Sequence, residues 1–183
     1  MAERSGYHHG DLRRALLEAA AAEIFEVGPS AISQRSIARR AGVSHAAPAH
    51  HFGDRAGLLS AVAAEGFRRM NETMESAASG SDEPLNAIGR AYVAFARANP
   101  GEFAVMFRPE LLDPDDEVLA EHSGWSFARL TDAIASTPGA VCDGETPEVA
   151  AARAWSLVHG LATLMINGSL PDDDDLVDQV LSG

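Results

Sequence analysis

With 183 residues, 46% of them hydrophobic and 22% charged, the chain is long and apolar enough to bury a core, and extended disorder is excluded except at the ends. Its one cysteine, Cys142, excludes an intrachain disulfide framework and a multi-cysteine zinc site; no run of about 18 apolar residues predicts a membrane span, and the polar N-terminus lacks a secretory segment, so a cytoplasmic protein is expected. The net charge of −13 hides a division: up to residue 55 seven arginines face six acids, with five of the seven histidines, whereas the remainder sets seven arginines against 21 acids.

Almost every segment reads as helix. Alanine is abundant, sustained period-two alternation is missing, and no Asn-Gly or Asp-Gly pair marks a hairpin. A first helix is predicted from Asp11, which can cap it, to Val27. Leu12, Leu16, Ala19, Ala20, Ile24 and Val27 recur at helical spacing, and Gly28-Pro29 is the stop. Ser33 caps a short helix to Arg40, with Ile32 and Ile37 placed as a hydrophobic staple. Ala41-Gly42-Val43 is a tight turn in which Gly42 is free to take positive φ. Ser44 is expected to cap a third short helix, about His45 to His51, in whose first turn Pro48 does little harm. A long helix follows from Arg55 to Ala78, begun by Asp54. Pro84 to Ala98, Gly101 to Phe107, Glu117 to Ser136, Pro147 to Asn167 and Asp172 to Leu181 complete the predicted helices. No internal repeat is present.

Helix, tight turn and helix over residues 33–51 form the arrangement of a helix-turn-helix DNA reader. The first helix braces on the phosphate backbone, and the second offers its outer face to base edges in the major groove. Ala38, Ala41 and Gly42 allow close approach. Ile37, Val43 and Phe52 supply a shared core, with Leu16, Ala20 and Phe25 of the first helix expected behind them. The acidic body would repel DNA, so contact is confined to the weakly basic head.

Three ordered words carry a likeness. They are Leu16-Leu17-Glu18-Ala19-Ala20 with Phe25 and Gly28, then Ser36-Ile37-Ala38-Arg39-Arg40-Ala41-Gly42-Val43-Ser44, then His51-Phe52 followed by Asp54-Arg55-Ala56-Gly57-Leu58-Leu59. In them residues 7–67 resemble the N-terminal domain of the tetracycline-repressor (TetR) family of transcriptional regulators. A weaker likeness lies at Ala154-Trp155-Ser156-Leu157-Val158-His159-Gly160-Leu161, which is similar to the Trp-x-x-x-His-Gly signature of one branch of the family's C-terminal domains.

The resemblance implies an all-α fold. A three-helix helix-turn-helix domain, residues 1–54, would be joined by a long helix to a helical ligand-binding and dimerisation domain, residues 55–183. It implies a sequence-specific regulator, a repressor released from its operator by a small-molecule effector. Ser33 and Arg35 would meet phosphate. Ser44, His45, Ala46, Ala47 and His50 would form the reading face, with His51 beside it. Arg55 stands where the family usually puts a lysine on phosphate, a task a guanidinium can perform bidentately. Ala49 departs from the pattern, which often has a tyrosine there on the backbone; weight then falls on His50, His51 and the N-terminal Arg4. The reading face is poor in Asn, Gln and Arg, so Ala46 and Ala47 would touch thymine methyls.

A metal site is a rival for His8, His9, His45, His50 and His51. Helical ligands need i,i+3 or i,i+4 spacing, whereas His45, His50 and His51 are 5 and 1 apart with no matching carboxylate, so neither metal nor cofactor is expected. Arg39 and Arg40 read equally well as a solvated face. Asp172–Asp175 satisfy the start of the last helix, whose dipole favours carboxylates; a calcium loop would need spaced ligands and a glycine turn.

A single half-site is short, and two-fold symmetry doubles the contacts. A homodimer on a palindromic double-stranded operator is therefore expected. Along Thr146–Gly168, Ala150, Ala154, Leu157, Leu161 and Leu164 alternate four and three apart, the stripe a helix pair needs; the plainer reading is that this stripe is the monomer's core. For the effector, Phe95, Phe103, Met106, Phe107, Trp125, Phe127, Trp155, His159 and Met165 could wall an apolar pocket, with Arg97, His122 or His159 as polar handles. Core packing is the plainer account of most of them. Two other classes stay open, a helical interaction scaffold and a helical enzyme. The latter needs a nucleophile–base pair or a metal cluster, and Cys142 has no histidine motif, so no catalytic residue is named.

Overall fold

The computed structural model describes residues 9–182. Among them the regular elements are helices: α1 (His9–Val27), α2 (Gln34–Arg40), α3 (Ala47–Phe52), α4 (Arg55–Ala78), α5 (Pro84–Ala98), α6 (Pro100–Met106), α7 (Glu117–Ala135), α8 (Pro147–Ile166) and α9 (Asp174–Leu181), with a short 3₁₀ turn at Pro109–Leu111.

Local chemistry sets most of these bounds. Ser33 Oγ accepts from the Ser36 N–H while Ser36 Oγ accepts from the Ser33 N–H, a reciprocal cap that starts α2. Asp54 Oδ1 accepts from the Gly57 N–H at 2.9 Å and starts α4. Thr146 caps α8, and prolines open both α5 and α8, where a missing N–H costs nothing. Gly28, Gly42 and Gly168 close helices in positive-φ conformations that a side chain would strain.

Four starts differ from the sequence reading. α6 begins at Pro100, one residue before the expected Gly101. α1 extends back to His9, so Asp11 lies inside its first turn and does not cap it. α9 begins at Asp174, with Asp173 as its cap. α3 begins at Ala47 with Ala46 at the cap position, and no side chain caps it. Proline explains the last shift. Were Ser44 the cap, the first helical bond would need the N–H of Pro48, which does not exist. Instead Ala47 N–H turns back to Ser44 O at 3.0 Å, and His50 N–H makes the first bond of the helix, to Ala46 O at 3.0 Å.

The chain divides into two compact units. One takes the residues up to Glu65 together with Gly101–Asp116; the other takes Gly66–Pro100 with Glu117 onward. The division therefore falls inside α4, and a later segment returns to the first unit.

In the first unit Leu16, Ala20, Ile24, Ile37, Ala38, Leu58 and Leu59 are buried, each large side chain contributing about 1.5–3 kcal/mol of transfer free energy. Val105 and Met106 of α6 are buried too. Asp113 N–H donates to the buried Ser60 Oγ at 2.7 Å, fastening the returning segment to α4. Phe25, expected in this core, is 66% exposed. Leu16, Ala20 and Ile24 already fill the inward face at i,i+4 spacing, and the residue after Ile24 is turned about 100° away from it.

In the second unit α5 packs against α8, α7 and α9, and α7 packs against α8. Tyr92, Val93, Phe95 and Ala96 of α5 are buried, as are Val158, Leu161, Ala162 and Met165 of α8. A separate cluster joins Ile134, Ala150 and Ala151 with Leu85, Leu130 and Val141. Asn71 is buried, donating to His122 O at 3.0 Å and accepting from Ser126 Oγ at 2.6 Å, which fastens the second half of α4 to α7. By length and composition α8 is apolar enough to cross a membrane, although it contains Glu148, Arg153 and His159.

Candidate nucleic-acid interface

α2 and α3 are joined by residues 41–46. Gly42 takes φ +69°, and Val43 N–H returns to Ala38 O at 3.0 Å, so the turn is tight. Pro48 is fully buried and fixes α3 from behind. On the opposite side Ser44, His45, Ala46, Ala49 and His50 are exposed, whereas Ala47 and His51 are half-buried. The His51 ring lies between those of His50, at 5.4 Å, and Phe52, at 6.0 Å. Thus Ser44, His45, Ala46 and His50 share the outward surface, and His51 leans towards the core.

The candidate phosphate contacts fall into different environments. Arg35 is exposed on the first turn of α2. Ser33 is exposed as well, with its hydroxyl engaged in the cap. Arg55 is half-buried; its Nη2 donates to Pro29 O at 2.6 Å, and its buried Nε finds no hydrogen-bond partner. It is a structural tie as much as a surface cation. Arg39 is exposed, whereas Arg40 forms a fork on Glu26 and lies 3.8 Å from Glu23, so the two arginines are not equivalent. The Arg40 guanidinium holds the Glu26 carboxyl below the usual carboxylate range. Glu23 is almost wholly buried and accepts from Ser36 Oγ, which links α1 to the start of α2. Arg4 and His8 lie outside the described residues.

Two contacts escaped the sequence reading. Gln34 Nε2 donates to Gly53 O at 3.0 Å, and the Arg13 guanidinium sits 5.4 Å from the centre of the Phe52 ring. Both meet the end of α3. Residue spacing alone carries no signal for either.

Residues 16–62 match the model of the bacterial regulatory proteins of the tetR family, and residues 85–182 match the tetracyclin repressor-like C-terminal domain. The chain belongs to the TetR family. It is accordingly a DNA-binding transcriptional regulator, not an enzyme. Among solved structures it is similar to a protein of unknown function from Rhodococcus sp. RHA1, at 34% identity over 98% of this chain and 94% of that one, with a TM-score of 0.78. It shares its fold with the TetR family transcriptional regulator PfmR from Thermus thermophilus, at 22% identity over 92% and 97% of the chains and a TM-score of 0.71. AibR in complex with isovaleryl coenzyme A and operator DNA has the same fold, at 19% identity over 93% and 96% and a TM-score of 0.74. No curated protein matches the chain in sequence.

In this TetR-family chain the residues read as an effector pocket divide between the units. Phe103, Met106 and Phe107 belong to the first, with the Phe103 and Phe107 rings 5.2 Å apart. Phe95, Trp125, Trp155 and His159 belong to the second. There Trp155 and His159 are brought together, ring centres 6.1 Å apart, with Phe127 6.1 Å from Trp155. Tyr92, which the sequence reading did not single out, completes the group. Trp155 Nε1 donates to Tyr92 Oη at 3.2 Å, and Tyr92 Oη lies 2.8 Å from His159 Nδ1. An indole N–H can only donate, so the phenol oxygen accepts from Trp155, while the direction of the Tyr92–His159 bond follows the imidazole tautomer. Burial pushes the Tyr92 phenol up and the His159 imidazole down. Arg97 is occupied by Asp172 and Asp174, and is not a free polar handle. Trp125 is 36% exposed and carries Arg129 over its ring.

The α8 stripe is split. Ala150 and Leu161 are buried, Ala154 is half-buried, and Leu157 and Leu164 are exposed. At about 100° per residue, these positions run along the border between the inward face, centred near Val158 and Leu161, and the outward one. The outward apolar residues are Val149, Leu157, Leu164 and Ile166. Among the described residues no group of three or more His, Cys, Asp or Glu gathers to hold a metal.

Proposed function

We propose that the chain is a homodimeric repressor that reads a palindromic operator and leaves it when a small molecule occupies the second unit. One observation carries this reading: the tight turn and the short helix it leads into, backed by a buried proline, leave Ser44, His45, Ala46 and His50 outward, in the same unit as the exposed Arg35 and Arg39 of α2. In a chain of net charge −13 this is where DNA can be approached. Ala46 and Ala47 suit thymine methyls, and His45 and His50 donate to bases or phosphate. Ser33, Arg35, His51 and Arg55 position the backbone, which sets register and carries no sequence information itself.

Two copies present two reading helices, and for successive major grooves these must sit roughly 34–36 Å apart. The outward apolar face of α8, with Leu157 and Leu164, is the candidate seam. Such a regulator works where the chromosome is, in the cytoplasm. The effector site we assign to the Trp155–His159–Tyr92 group with Phe95 and Trp125. Helix α4 has residues in both units and is the element able to carry the signal. An effector shifts this equilibrium only by its differential affinity for the two states, typically about 1–3 kcal/mol of coupling. A protein of this fold, AibR, has been crystallised in complex with isovaleryl coenzyme A and operator DNA, so the fold can take both a small molecule and DNA.

The test is selection of bound duplexes from a random pool by the full-length protein, followed by a ligand panel scored for release. Inverted half-sites, with binding that weakens as salt rises, support the reading. No retardation even at low salt would favour an interaction scaffold.

A further inference from the structure

α3 has six residues and no side-chain cap, too short a helix to hold itself or its direction. Its orientation comes from the buried Pro48 behind it and from what grips its ends. At one end the tight turn joins the C-terminus of α2 to the N-terminus of α3. At the other, Gln34 Nε2, on the first residue of α2, donates 3.0 Å to the carbonyl of Gly53, the residue that closes α3. The two helices thus form a V hinged at the turn, with one amide tying its open mouth. The Gln34 bond thereby restricts the crossing angle of bracing helix and reading helix.

The same corner is gripped from α4. Gly53 takes φ +70°, and the next turn comes so close that a Cβ on Gly57 would stand 2.2 Å from the carbonyl oxygen of Phe52. Glycine at 57 therefore permits an approach that a side chain would push apart. Arg13 lies over the Phe52 ring from α1.

We infer that Gln34 is a positioning residue for DNA recognition: through Gly53 it fixes the angle at which α3 meets the bases. The inference rests on α3 being the reading helix. Base contacts are lost by misplacement of the probe, whereas phosphate contacts by exposed arginines tolerate it. Gln34 thus governs discrimination between sequences, not overall attraction to DNA.

The test uses full-length protein, a duplex selected from a random pool and a random duplex of equal length. Gln34→Met keeps the length and removes the donor without adding charge. We expect selected-duplex affinity to fall roughly tenfold, about one good base contact. Random-duplex affinity, the salt slope and the melting temperature should stay near wild type. Gly57→Ala, which forces the corner from the α4 side, should lower the same ratio, and the double variant should lose less than the product of the two. Equal losses on both duplexes would make Gln34 a direct phosphate contact and overturn the inference. An unchanged ratio in Gln34→Met, with wild type discriminating normally, overturns the inference alone. If wild type itself fails to discriminate, the reading-helix assignment falls with it.

Discussion

Arg55 Nη2 donates to the carbonyl oxygen of Pro29 at 2.6 Å, so the first residue of α4 is pinned to the loop that follows α1. As the proposed phosphate contact, a residue with this tie is placed before DNA arrives, and its other terminal nitrogen, Nη1, would lose little freedom on meeting phosphate. Arg55→Ala should lower affinity for selected and random duplexes by the same factor. It should also reduce the slope of log affinity against log salt by about 0.9, the share of one phosphate. Loss of the Pro29 bond adds a stability cost of about 1 kcal/mol. Anisotropy titrations at several salt concentrations, with a thermal melt, separate the two effects. A loss confined to the selected duplex would remove Arg55 from the backbone contacts.

Two glycines in helices make opposite predictions. A Cβ on Gly101 would stand 2.1 Å from the carbonyl oxygen of Ala21, so α6 lies directly on α1 within the first unit. Backbone meets backbone there and neither can swing aside. Gly101→Ala should destabilise the protein by about 1–3 kcal/mol. Gly124, inside α7, has nothing within 4 Å of its would-be Cβ. Gly124→Ala should stabilise by about 0.5–1 kcal/mol through helix propensity alone. Urea midpoints measure both, and two shifts of the same sign would contradict the packing described.

Which side of α3 faces out is set by the tight turn at Gly42 and the buried Pro48, and the exposed Ser44, His45, Ala46 and His50 are the face proposed to read bases. The helix starts were legible at Ser33, Asp54, Pro84 and Pro147, where a cap or a proline acts locally and nothing distant overrides it. Phe25 and α8 show where this ends. Phe25 is apolar at a plausible helical position, yet its neighbours claim the core and it is left outside. α8 is apolar on both faces, so periodicity could not choose the inward one, and the stripe read from spacing fell on their border. Gln34–Gly53 and Tyr92–His159 join residues 19 and 67 apart, and no local pattern announces such a pair.

The Tyr92–His159 bond gives a pH prediction. Burial lowers the His159 imidazole below its ordinary value of 6.5, so the folded state binds its proton less readily than the unfolded chain. Stability from this group is fully present above the unfolded value near 6.5. It is lost as pH falls through that value towards the lower folded one. The lowered carboxyls of Glu26, Glu145 and Glu148 act below about 4.5, outside this window. The melting temperature of the wild type should therefore begin to drop as pH passes below about 6.5. His159→Gln, which cannot be protonated, should flatten that part of the curve. An acid limb equally steep in the variant would assign it to other groups.

The split stripe on α8 decides how the dimer can be tested. Leu161 is 5% exposed, so Leu161→Arg would bury an unpaired charge and unfold the second unit whether or not a seam exists. Leu157 and Leu164 are 47% and 42% exposed, so an arginine at either place can reach water in the monomer. At a two-fold seam each substitution acts twice, because the same patch meets itself. Leu157→Arg and Leu164→Arg should leave the melting transition of the second unit intact and yield monomers in sedimentation velocity. Tight operator binding should fall with dimerisation, since one half-site remains. A dimer of unchanged strength in both variants would place the seam on a different face.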